Sequence, residues 1–218
     1  MSKDVIPSIP ATLWVRRGKR VSDILGGSLL LLLCSPLMLA AAAFIKATSP
    51  GPVFFRQARG GKNGKPFIVI KFRTMRADRT PDPEELVPLN HAEITTVGRL
   101  LRRLKIDELP QLFNVLHGDM SVVGPRPTLL DQVADYDSFR RQRLLVKPGL
   151  TGLAQVYSSA AAPWDERISY DIAYVRLCSP LLDLSILLRT VLVVFLGENS
   201  TAHDFASTRF ARSVHRVP

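Results

Sequence analysis

The chain has 218 residues, with 29 lysines and arginines against 19 aspartates and glutamates, a formal charge of +10 and 46% apolar residues. That length suits one domain with an appendage, and the charge favours a polyanionic partner: nucleic acid, an acidic membrane surface or a phosphorylated substrate. The two cysteines, Cys34 and Cys178, give no disulfide framework, and the four histidines have no zinc-ligand spacing.

Residues 1–15 are mixed and contain prolines, and a basic cluster follows at Arg16, Arg17, Lys19 and Arg20. From Ile24 to Ile45 the chain is uncharged and mostly apolar, about 22 residues and long enough to span a bilayer. Ser35-Pro36 interrupts this run near its middle. A signal peptide would need a shorter apolar core with a small-residue site after it. A spanning helix with a proline kink competes with a re-entrant hairpin. Basic residues flank both ends, from Arg16 to Arg20 before and from Lys46 through Lys62, Lys65 and Arg76 after. By the positive-inside rule both ends then face the cytoplasm, which favours the hairpin. Each half would hold about 11 residues, roughly 16 Å of helix or half the hydrocarbon core. Pro36 removes a backbone donor, and the Ser35 hydroxyl can help satisfy the carbonyl so freed.

Ser49 to Pro52, SPGP, is a firm stop. Val53-Phe54-Phe55 and Phe67 to Phe72 read as two strands around a turn containing Gly60, Gly61, Asn63 and Gly64. Lys71 and Arg73 alternate onto one face, either as a solvated hairpin edge or as a phosphate-facing pair. Residues 77–95 are acidic, proline-rich and read as a surface loop. Val97 to Leu104 reads as a helix with basic residues among leucines. Next, Asp107 to Pro127 reads DELPQLFNVLHGDMSVVGPRP. Leu109, Leu112, Phe113 and Leu116 have the spacing of one buried helix face, with Pro110 in the first turn and Gly118 at the end. Asp107 and Glu108 stand at that helix start, as an ordinary cap and first-turn acid or as a functional pair beside a natural anion site. The Gly124 to Pro127 turn, GPRP, presents Arg126. A charged helical stretch is expected over Leu129 to Leu145, a Pro/Gly loop with Lys147 over Val146 to Gly152, and a helix over Asp165 to Val175. Leu181 to Leu196 is apolar but short for a span and contains Asp183 and Arg189, so it reads as a core or interfacial helix. The tail from Gly197 is polar, basic and expected to be loose.

From Lys19 to about Thr190 the chain resembles the bacterial sugar transferases, the small monotopic phosphoglycosyl transferases. The residues that carry the resemblance are Lys19, Arg20 and Asp23, the Ser35-Pro36 break, SPGPVFFRQ, KFRTM, IDELPQLFNVL, GDMSVVGPRP and KPGLTG. The resemblance implies transfer of a sugar-1-phosphate from a UDP-sugar to a polyprenol phosphate, undecaprenyl phosphate in most members, with release of UMP. It implies Mg²⁺, a re-entrant membrane helix broken at Ser35 and Pro36, and a catalytic dyad. In that reading Asp107 is the nucleophile that forms a covalent phospho-sugar intermediate, and Asp107 and Glu108 are the metal candidates. Lys71, Arg73, Arg102, Arg126 and Lys147 are the candidate phosphate-binding residues. Tyr157 to Pro163 departs from the family's usual pattern, so no donor sugar is inferred.

The expected fold is α/β or α+β: a mostly helical monotopic membrane protein with a small β-hairpin or sheet and a re-entrant N-terminal helix. Its expected parts are a basic segment (1–20), the membrane helix (21–47), a catalytic domain with interfacial helices (48–196) and a polar tail (197–218). The expected location is the cytoplasmic face of the inner membrane, with a UDP-sugar, a polyprenol phosphate and the lipid bilayer as partners and homo-oligomerisation left open. The rival classes are a basic nucleic-acid-binding protein and a non-catalytic membrane-surface protein. The first has no recognition motif in the sequence. The second leaves the acid pair and the two Pro/Gly loops without a purpose.

Overall fold

The computed structural model describes residues 14–76, 91–159, 161–197 and 202–214. Most of the acidic loop at 77–95 lies outside the described residues. The longest element is α1, Lys19–Thr48, the one helix among the described residues that is long and apolar enough to cross a membrane. The two short helices expected on either side of Ser35-Pro36 are instead one helix that carries Pro36 inside it. Proline lacks the N–H that would reach the Leu32 carbonyl one turn back. The Ser35 hydroxyl donates to that same carbonyl at 2.8 Å, so the freed acceptor is satisfied locally.

Both ends of α1 are fastened to the rest of the protein. At its start Lys19 Nζ lies 2.9 Å from Asp183 Oδ2, and Arg20 donates to the Val115 and Leu116 carbonyls at 2.7 and 2.8 Å. Those carbonyls belong to the last turn of α3 (Gln111–His117), where a cation satisfies orphan acceptors and the helix dipole together. Asp23 is buried and accepts from the Ser121 hydroxyl and the Val122 N–H. At the far end the Arg73 guanidinium donates to the Ser49 carbonyl and hydroxyl and to the Pro50 carbonyl. Between the two anchors Leu29, Leu32, Leu33 and Leu39 are exposed.

The hairpin of β1 (Phe54–Gly60) and β2 (Pro66–Phe72) is antiparallel, with Phe55 opposite Lys71 and Arg59 opposite Phe67. Asn63 and Gly64 in its turn have φ of 58° and 74°, the left-handed region that these residue types tolerate. An unpaired strand edge invites foreign pairing. Here the buried Asn114 of α3 covers it, accepting from Ile70 N–H at 3.1 Å and donating to the Ile68 carbonyl at 2.7 Å.

A second sheet was not legible in the sequence: β3 (Ser121–Val123) runs parallel to β4 (Gly149–Thr151), joining the two Pro/Gly loops. Gly124 N–H donates to the Thr151 carbonyl and Gly149 N–H to the Pro125 carbonyl, both at 2.8 Å. A methyl group at Gly149 would come within 2.1 Å of the Gly124 nitrogen, so this approach of backbone to backbone admits only glycine.

The remaining elements are α2 (Thr96–Arg103), α4 (Leu130–Ala134), α5 (Ser138–Arg141), α6 (Leu153–Tyr157), α7 (Trp164–Leu177) and α8 (Pro180–Leu196). The single helix expected over Leu129 to Leu145 is broken into α4, α5 and a 3-10 turn at Gln142–Leu145. Asp137 is the reason for one break, because its carboxylate caps Arg140 N–H at 2.7 Å. The main core joins β2, α3, β3, α6, α7 and α8 around the fully buried Tyr170, Tyr174, Leu153 and Met120. A smaller cluster packs Met38, Ala41 and Ile45 of α1 on Phe72, Leu101 and Ile106. Residues 202–214, expected to be loose, fold back: Phe210 is buried and Arg176 donates to the Ser213 carbonyl at 2.6 Å. On α8 the pattern is inverted. Ile186 and Leu182 face the core, while Leu181, Leu184, Leu188, Val191, Leu192 and Phe195 form an exposed apolar stripe.

Candidate active site

Asp107 and Glu108 lie on a single 3-10 turn, Ile106–Glu108, wedged between α2 and α3. Lys105, which leads from α2 into this turn, lies in the left-handed region at φ 57°, a conformation that costs a non-glycine residue roughly 1–2 kcal/mol. Ile106 is buried in the smaller cluster and holds the turn down. Pro110 then starts α3 without a side-chain cap, so neither acid caps that helix. The buried face of α3 is Gln111, Leu112, Asn114 and Val115. Phe113, expected inside, is 42% exposed, because the face turned inward is the one that carries Asn114 to the edge of β2.

The two acids have opposite surroundings. Glu108 is gripped by two cations: Lys71 Nζ lies 2.9 Å from Oε1, and Arg126 donates to Oε1 at 2.6 Å and to Oε2 at 3.3 Å. Burial alone would raise its pKa, but the charges of Arg126 and Lys71 outweigh it and hold Glu108 well below the usual carboxylate range. Asp107 is in no ion pair or side-chain hydrogen bond among the described residues. Burial and the neighbouring Glu108 charge push its pKa up, against the pull of Lys71, Arg102 and Arg126. One carboxylate is therefore committed to the fold and the other is left available.

Lys71 sits at the end of β2, where its pKa is lowered by burial and supported by Glu108. Arg102 is anchored through Nε to Thr74 Oγ1 at 2.9 Å and bears on Asp107 by charge. Arg126 stands on the GPRP turn and is the most exposed of the cations around Glu108. These three come together with the acid pair. Arg73 does not join them: β2 ends at Phe72, the alternation stops, and Arg73 is buried against Ser49 and Pro50. Lys147 has a different set of charged neighbours, Arg20, Asp23, Lys62 and Asp119, and burial lowers its pKa. The residue missed in the sequence is Arg59. It donates to Gln57 Oε1 at 2.6 Å, and burial followed by the Arg126 charge lowers its pKa to about 10. Continuing the alternation of Phe55 through Gln57 would have placed Arg59 on the Lys71 face.

This asymmetry predicts opposite stability changes. Glu108 has a folded pKa below its unfolded one, so its contribution is present above the unfolded value and lost as pH falls through the folded one. Asp107 has a raised folded pKa, so at neutral pH it destabilises the fold, and the penalty fades as pH falls below that value. In metal-free buffer at pH 7, Glu108→Gln is expected to cost about 2 kcal/mol by removing the carboxylate that Lys71 and Arg126 share. Asp107→Asn is expected to raise the melting temperature. Thermal melts of both variants check this, and shifts of the same sign would contradict it.

Comparison with known proteins places this geometry in context. The chain is 43% identical over 190 residues to a UDP-glucose:undecaprenyl-phosphate glucose-1-phosphate transferase of Klebsiella pneumoniae, covering 84% of this chain and 41% of that protein. It is 43% identical over 180 residues to the uncharacterized sugar transferase EpsL of Bacillus subtilis (strain 168), covering 83% and 88%. It is 40% identical over 199 residues to a UDP-N-acetylgalactosamine-undecaprenyl-phosphate N-acetylgalactosaminephosphotransferase of Aeromonas hydrophila, covering 88% and 46%. The chain thus spans less than half the length of the first and third of these relatives. The sequence profile described as bacterial sugar transferase matches residues 14–197, which include α1, both sheets and the whole Asp107–Glu108 site, and the chain belongs to that family.

Proposed function

We propose that the protein transfers a sugar-1-phosphate from a UDP-sugar to a polyprenol phosphate such as undecaprenyl phosphate, releasing UMP, with Asp107 as the nucleophile. The observation that carries this reading is the uncommitted Asp107 carboxylate beside a Glu108 already neutralised by Lys71 and Arg126. The printed activities of the Klebsiella and Aeromonas relatives supply the substrate classes. In the first step an Asp107 oxygen forms a bond to the sugar-bearing phosphorus, and the bond from that phosphorus to UMP breaks. In the second an oxygen of the polyprenol phosphate attacks the same phosphorus. The bond to Asp107 then breaks, leaving a polyprenyl-diphospho-sugar and a restored carboxylate. Splitting one transfer into two is the role of an enzyme nucleophile, and a desolvated, less acidic carboxylate is the better one. Arg102, Arg126, Lys71 and Arg59 offer fixed positive charge to the phosphate oxygens, which must approach a carboxylate.

Mg²⁺ fits the donor set. Among the described residues no cluster of three or more histidine, cysteine, aspartate or glutamate side chains could enclose a metal alone. Magnesium, however, takes one or two carboxylates together with waters and substrate phosphates. The open oxygens of Asp107 suit that mode better than those of Glu108, which two cations cover. When bound, the ion would screen the negative charge of the donor diphosphate.

The same reading places α1 as a re-entrant helix at the cytoplasmic face of the inner membrane. A helix of 30 residues could extend about 45 Å, yet its first turns are tied to Asp183, α3 and β3 and its exit to Arg73. Ends fastened to one water-soluble domain belong on one side of a bilayer. The exposed leucines around Ser35-Pro36 and the apolar stripe of α8 supply surface suited to lipid. The cations nearest the acid pair converge on two carboxylates instead of lining an open surface, which favours a transferase over a nucleic-acid partner.

Two measurements test these statements. Purified protein with undecaprenyl phosphate, Mg²⁺ and a panel of UDP-sugars should release UMP with at least one donor, and Asp107→Asn should lower the rate by at least about 1,000-fold. An Asp107→Asn enzyme near wild-type rate would remove Asp107 from the chemistry. For topology, Arg17→Cys and Lys62→Cys should both react with an impermeant thiol reagent from the same side of sealed vesicles. Labelling from opposite sides would mean that α1 crosses the membrane.

A further inference from the structure

We propose that Arg143, backed by Asp171 and coupled to Tyr136, is a positioning residue for the arginines of the transfer site. It fixes the backbone from which Arg126 and Arg59 reach the substrate, and the inference rests on the transferase reading above. Arg143, in the 3-10 turn Gln142–Leu145, and Asp171, in the middle of α7, are 3% and 2% exposed, so neither can meet a substrate from solvent.

The Arg143 guanidinium makes three kinds of contact. One terminal nitrogen donates to Asp171 and also to the backbone carbonyl of Arg126, the latter at 2.9 Å. The other donates to Tyr136 Oη at 2.6 Å. Tyr136 Oη in turn donates to Thr128 Oγ1 at 3.1 Å, and the Thr128 carbonyl accepts the Gly60 N–H at 2.9 Å. The network therefore grips the chain on both sides of Arg126-Pro127 and continues to the residue that follows Arg59. The Arg143 cation also lies over the Trp164 ring, 5.4 Å from its centroid.

The network is an uneconomical way to stabilise a core. Arg143 Nε and Asp171 Oδ1 are buried with no hydrogen-bond partner among the described residues. A buried ion pair replaced by apolar side chains of similar volume is often as stable or more so. An apolar pair would hold α7 against the 142–145 turn equally well. It could not hold the Arg126 carbonyl, and that is the contact peculiar to Arg143.

The test is a double-mutant cycle read by binding as well as turnover. Tyr136→Phe keeps the ring and removes only the hydroxyl contacts, and Arg143→Lys keeps the charge. Each is made in the native and the Arg126→Ala background, with folding checked by thermal melt. Titration calorimetry with UDP as probe should show binding weakened about 10-fold by either substitution in the native background and by a clearly smaller factor, the share carried through Arg59, in the Arg126→Ala background. In the native background the donor KM should rise by a similar factor, with kcat within about 3-fold of wild type. Equal losses in both backgrounds, or a fall in kcat at constant KM, would overturn the positioning role while leaving the transferase reading intact. A wild-type protein that neither binds UDP nor turns over any donor would overturn both. Should Arg143→Lys fail to fold, Tyr136→Phe alone decides between these outcomes.

Discussion

The structure turns on the neutralisation of Glu108. A carboxylate pair at adjacent positions would repel itself and any phosphate that approached. Lys71 from the hairpin and Arg126 from the GPRP turn remove that difficulty for one member only. For the grip to form, three separate segments have to meet. The Asn114 bridge docks α3 and the preceding acid turn on the edge of β2. The pairing of β3 with β4 brings the two Pro/Gly loops together and places Arg126 over the same point. The asymmetry that leaves Asp107 open is thus a consequence of how the hairpin, α3 and the second sheet pack.

The apolar helix is tied into the same framework. Arg20 satisfies the last carbonyls of α3, whose first turn adjoins the acid pair, and Asp23 holds the strand that leads into GPRP. At the other end Arg73 fastens the exit of α1 two residues beyond Lys71. A change in how α1 sits in lipid would therefore bear directly on the elements that carry Lys71, Glu108 and Arg126. Under the proposed function a lipid-linked acceptor and a water-soluble donor meet at the membrane surface, and these ties would keep the site at that level.

Much of this was legible in the sequence because it depends on local chemistry. Proline and glycine marked the stops at Ser49–Pro52 and Gly118, short apolar runs around a Gly/Asn-rich turn marked the hairpin, and the Ser35 hydroxyl was read as helping to satisfy the backbone that Pro36 frees. The long DELPQLFNVL and GPRP motifs identified the family and marked the acid pair as the candidate site. What was not legible depends on tertiary contact. β3 and β4 have three residues each and gain strand geometry only from each other. Arg73 was grouped with Lys71 by an alternation that ends one residue too early. Asp137 divides an otherwise helical stretch because its carboxylate accepts the Arg140 N–H and starts a new helix. Phe210 and its neighbours are too polar in sequence to announce that they return to the core.

The most direct test of the account is intact-mass analysis of the protein incubated with its UDP-sugar donor and Mg²⁺ but without polyprenol phosphate. The account predicts a mass increase equal to one phospho-sugar, localised by peptide mapping to Asp107, absent in Asp107→Asn and discharged on addition of the acceptor lipid. UMP release that begins only when the acceptor is present, with no covalent adduct at any time, would contradict it. That result would mean donor and acceptor react directly in a shared site.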